Sequence, residues 1–137
     1  MSRQNEEPAG TAPLSPSLDE LMSEIDEPFP EALIRLIVQK GLSDPEVYKK
    51  ANIDRKLFSK IKNSKNYKPC KVTCIAFAIA LELSLDETRE LIGKAGYALT
   101  HSSKFDIIIE YFILGKNYDI FEINEVLFAF GQPLIGG

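Results

Sequence analysis

Nine of the chain's sixteen basic residues fall between positions 49 and 71: Lys49, Lys50, Arg55, Lys56, Lys60, Lys62, Lys65, Lys68 and Lys71. Only Asp54 opposes them, although the whole chain carries a net charge of −4. A basic block inside an acidic chain creates a field that orients the molecule on a polyanion or an acidic partner. The plainer alternative is a solvated helix face and loop. The density of nine cations against one acid favours a binding surface.

Other chemistry is sparse. Cys70 and Cys74 lie four apart, one turn apart on a helical face, and the single histidine, His101, is distant. That is no zinc-ligand set, so the cysteines are expected as reduced thiols packed like small hydrophobes. His101 stands beside Ser102 and Ser103 in a helix-start sequence, where capping is the expected role. Asp86 and Glu87 suit the first turn of a helix, where carboxylates meet the positive end of the helix dipole. No glycine-rich phosphate loop, nucleophile motif or paired metal ligands occur. Neither catalysis nor a cofactor or metal is expected.

The elements that must position these residues read as helices throughout. Residues 1–17, rich in Pro, Ser, Ala and Glu, are expected to be a disordered leader or linker. Leu18, Leu21, Met22 and Ile25 sit at helical spacing in a short acidic stretch. The first firm helix is expected from about Pro30 to Lys40, with Leu33, Ile34, Ile37 and Val38 inward and Gly41 as its stop. Ser43 and then Asp54 cap the next two helices. In the second of these Phe58 and Ile61 form the apolar side. A wide apolar helix follows from about Lys71 to Leu83, and Ser84 and Glu87 form a capping box for its successor, which ends at Gly96. Ser103 opens a helix to about Leu114 that is apolar almost all round and therefore expected to be covered. Asp119 opens the last, which closes at Gly131 and Pro133. No segment alternates with period two long enough to be a strand.

The stretch from Leu42 to about Ala95 resembles a lambda-repressor-like (Cro-type, Xre-like) helix-turn-helix module. Asp54 falls where that family caps its recognition helix, Phe58 and Ile61 fall on its inward positions, and Pro69 precedes helix four. The run from Ala78 through Ser84 to Leu91 matches the family's ending. Asp44 stands where the family usually has Gln, and Tyr48 stands where it usually has a small residue. The resemblance implies an all-α fold: a five-helix helix-turn-helix domain over 18–96, then a two-helix hairpin over 97–137 packed on it. The hairpin is similar to a C-terminal extension of bacterial proteins, often the tail of larger effectors such as macrodomain proteins.

What the resemblance implies for function is a bacterial or phage transcriptional regulator that binds double-stranded DNA. A recognition helix presents its N-terminal residues to base edges in the major groove. Arg55, Lys56, Ser59 and Lys60 would face the groove, and Arg55 could fork onto a guanine. Lys62, Lys65 and Lys68 would follow the backbone, with Asn63 or Tyr67 donating to a phosphate oxygen. The alternative is an adaptor that recruits an acidic protein through the same fold, or docks a partner on its C-terminal hairpin. A second copy of the chain or a larger effector is a further expected partner. A cytoplasmic location is expected, because no signal peptide is visible and no apolar run approaches the roughly 18 residues a membrane helix needs.

Overall fold

The computed structural model describes residues 15–64 and 67–136, which hold eight α-helices and no strand. The all-α expectation holds. The helices are α1 (Leu18–Met22), α2 (Phe29–Gln39), α3 (Asp44–Lys50), α4 (Arg55–Asn63), α5 (Lys71–Ala80), α6 (Leu85–Gly93), α7 (Lys104–Leu114) and α8 (Ile120–Ala129). The disordered reading of the leader falls almost wholly outside the described residues. Ser17, however, is the N-cap of α1 and forms a capping box with Glu20.

Local caps start most of the remaining helices. Ser43 and Ser84 form reciprocal boxes with Glu46 and Glu87, and Asp54 accepts from the N–H of Leu57 at 2.8 Å. Ser103 caps α7 by accepting from Asp106 N–H. At α8 the cap differs from a box. Asp119 accepts from Phe121 and Glu122, but its own N–H donates to Asn117 Oδ1 rather than back to Glu122. The helix α5 ends three residues before the expected Leu83. Glu82 adopts a left-handed φ of 54° there, and Leu83 N–H closes on Ala78 O at 3.1 Å. A glutamate in that conformation gives no stop signal of the kind glycine gives.

Helix α5 is the axis of the molecule, with every residue from Cys74 to Ala80 buried. It carries α3 and α6; α2 lies against α4 and α6; and α7 joins α6 to α8. Buried side chains from Phe29 to Ile135 belong to one continuous core, so the hairpin and the helices before it share an interior. Two expectations about this core are corrected. Helix α2 buries Phe29, Leu33, Leu36 and Ile37, while Val38 is 71% exposed. With α4 on one side and α6 on the other, the buried stripe is centred on Leu33 and Leu36. Val38, about 100° round from Ile37, turns out of it. Likewise α7 is covered on one side only, since Ile107, Tyr111 and Leu114 form an exposed stripe. The apolar side chains of α1 and Ile25 are also exposed. That segment is tied down further on, where Asp26 and Glu27 meet Lys94 at the end of α6.

Candidate nucleic-acid interface

Helix α4 is set by two contrary faces. Phe58 and Ile61 point into the core, Phe58 between the rings of Tyr48 (5.4 Å) and Phe77 (5.9 Å). At about 100° per residue the opposite direction is shared by Lys56, Ser59, Lys60 and Asn63, while Arg55, three residues before Phe58, sits at the edge of that face. Arg55, Lys56, Lys60 and Asn63 are exposed, and Ser59 is half-buried. An open recess at the start of α4 is lined by Asp54, Arg55, Lys56 and Ser59.

The turn before α4 is what aims this face. Ala51, Asn52, Ile53 and Asp54 join α3 to α4. Asn52 adopts a φ of 57°, which asparagine tolerates better than most residues. Ile53 N–H donates to Tyr48 O at 2.8 Å and its side chain is buried, so the turn is fastened from inside. Asn52 was not among the sequence-predicted residues. Its signal was present: an asparagine between two helices, two residues before a capping aspartate. Ala51 is fully buried, while the bulkier Tyr48 is half-buried against Phe58.

The basic block is not a uniform surface. Three of its lysines are held by acids from distant parts of the chain. Lys50 pairs with Glu82 at 2.7 Å, Lys62 with Asp44 at 2.8 Å and Lys71 with Asp106 at 2.8 Å. The Lys62 pair alters the meaning of Asp44. A carboxylate that would repel phosphate is neutralised by a lysine on the flank of α4, so Lys62 is engaged rather than free. Two more cations lie over rings: Lys60 Nζ is 4.6 Å from the centre of Tyr67, and Lys68 Nζ is 5.0 Å from that of Tyr97. Both are cation–π distances. Lys68 is thereby directed toward the segment after α6. Among the described residues Lys49, Arg55 and Lys56 meet no acid within ion-pair distance. Lys65 lies outside the described residues.

The remaining candidates play structural parts. Cys74 is buried, and burial pushes its thiol up to about 12. Cys70, expected beside it as a packed thiol, is instead exposed at the N-cap of α5. Partial burial raises its pKa. The Thr73 hydroxyl and the N–H groups of Thr73 and Val72 outweigh that and hold it below its ordinary value. His101 does not cap; Ser103 takes that role, and the imidazole Nε2 lies 3.0 Å from Glu110. Asp106 is buried, with Lys71 Nζ on its carboxylate and the N–H of Thr100 donating to Oδ2 at 2.9 Å. No group of three potential metal ligands occurs, and no helix is long and apolar enough to cross a membrane, among the described residues.

The chain matches no protein-family model, no curated protein and no solved structure.

Proposed function

We propose that the protein binds double-stranded DNA in a sequence-specific way, as a regulator of the lambda-repressor-like (Xre) class. In this reading α3, its turn and α4 act as the helix-turn-helix. The observation that carries it is the outward face of α4, where Lys56 and Lys60 stand with Ser59 and Asn63, Arg55 flanks them at the start of the helix, and none of the three cations has an acid within ion-pair distance among the described residues. Arg55 follows the cap directly, so it reads base edges; Lys56 and Lys60, expected in the groove, take phosphate contacts in this reading because Lys62 is held by Asp44 and Lys68 lies over Tyr97. The pairing of Lys62 with Asp44 supports the reading, because it neutralises a carboxylate at the start of α3 through a lysine of α4.

A second reading rests on a separate observation. Tyr111, Phe121 and Phe128 are each more than 70% exposed. Tyr111 and Leu114 also line a groove with Glu122 and Val126. Exposed apolar surface of this kind marks protein contacts, and an adaptor would use it instead of DNA.

Binding curves at several salt concentrations, on a selected duplex and a scrambled one, separate the two. Arg55→Ala is expected to relax sequence preference, by about 1–3 kcal/mol for one forked base contact. Lys60→Ala is expected to weaken both duplexes alike and lower the salt slope by about 0.9. If the wild type binds neither duplex at low salt, the adaptor reading replaces the DNA reading. If it binds both equally, specific readout is excluded and the face of α4 is an electrostatic docking patch.

A further inference from the structure

The chain's last described residues lie against the turn that aims α4. After α8, Gln132 N–H closes on Leu127 O and the chain runs back through Pro133 and Leu134. Ile135 is then wholly buried in the same core as Ala51, Ile53 and Phe58. Its backbone is held twice by one side chain: Asn124 Nδ2 donates to Ile135 O at 2.9 Å, and Ile135 N–H donates to Asn124 Oδ1 at 2.9 Å. That is the pairing a neighbouring strand would supply, made by an amide on α8.

Gly136 follows with a φ of 81°, and a Cβ placed there would lie 2.6 Å from Ala51 O and 2.9 Å from Asn52 Cβ. The backbone of the tail therefore touches the α3–α4 turn with no room for a methyl group. The contact falls on Asn52, the residue whose left-handed conformation makes the turn.

We infer that the segment Ile135–Gly136, held by Asn124, is a clamp that fixes the α3–α4 turn and so sets the direction of α4. Asn124 is a positioning residue that acts on the interface without touching a ligand. The hairpin is thereby part of the binding apparatus: α7 packs on α6 and α8, and α8 reaches the turn through this tail. As far as it concerns DNA, the inference rests on the reading of α4 given above.

The test has an arm independent of any ligand. Three amides report on the turn and clamp: Ile53 N–H on Tyr48 O, Leu57 N–H on Asp54, and Ile135 N–H on Asn124. In the wild type, hydrogen exchange in low denaturant is expected to show Ile53 and Ile135 opening in one transition of lower free energy than the global opening seen at α5. In Gly136→Ala and Asn124→Leu, exchange at Ile53 and Leu57 is expected to rise about tenfold, the scale of losing one or two hydrogen bonds. The amides of α5, which exchange through global unfolding, are expected to rise by no more than the same factor. Affinity for a selected duplex is expected to fall about as much while its salt slope stays constant, because no phosphate contact is lost. Unchanged exchange at Ile53 and Leu57 overturns the clamp. So does separate opening of Ile53 and Ile135 in the wild type, a measurement that does not depend on a variant folding. A wild type that binds no DNA removes the DNA reading, and the exchange data still decide the clamp.

Discussion

Cys70 and Cys74 are one helical turn apart in sequence, and a single turn separates solvent from core. Cys74 lies on the inward side of α5, where a thiolate would be desolvated, so its pKa is driven to about 12. Cys70 sits at the helix start, where N–H groups and the Thr73 hydroxyl favour the thiolate. A thiol-directed reagent at mildly alkaline pH is expected to modify Cys70 alone in the folded protein and both residues after denaturation, as read by intact mass and peptide mapping. Equal native rates at the two sites would contradict the placement of α5. The same rotation logic governs α4: Phe58 and Ile61 were legible as inward because they are its only large apolar pair at that spacing. Leu57, on the flank, remains half-buried.

At the scale of the element, the caps decide where helices begin and tie their stability to pH. Glu87 accepts from the backbone N–H of Ser84 at 2.9 Å, and this bond, followed by the one to the Ser84 side chain, holds its carboxyl below the usual range. A carboxyl depressed in the folded state contributes stability above its unfolded pKa, and that contribution is lost as pH falls through the depressed value. Glu87→Gln is therefore expected to flatten the acid limb of the stability curve below about pH 4.5, the ordinary glutamate range. Urea midpoints taken across that limb check it; a steeper acid limb in the variant would reverse the assignment. The starts of α3, α4, α6 and α7 were all readable because a cap and its partners lie within three residues of each other. Helix ends were less so. The stop at Glu82 depends on tertiary fixing of a non-glycine residue in the left-handed region, where Glu82 also pairs with Lys50.

Across the whole molecule, one core spans α2 to the tail at Ile135. Tyr97 OH donates to Pro69 O at 2.9 Å and Tyr118 OH to Leu83 O at 2.8 Å, so residues beyond Gly96 are fastened to the loops around α5. The chain is expected to unfold as one unit. Loss of helical signal and exposure of the Cys74 thiol should coincide along a urea titration. Helix loss that precedes thiol exposure would mean that the hairpin melts separately.

The all-helical class, the caps, the inward pair of α4 and the basic block were determined by the sequence itself. Each rests on residues within a few positions of one another, where the helical repeat converts spacing into direction. The state of the basic block was decided only by the tertiary structure. Lys62, Lys50 and Lys71 find acids 18, 32 and 35 residues away, and such partners have no periodic signature. The choice of Leu36 over Val38 in α2 depends on which helices lie beside it, not on α2 alone. The contact of Gly136 with the turn at Ala51 and Asn52 is of the same kind: folding brings together two stretches more than eighty residues apart, and the closeness of their backbones selects the glycine.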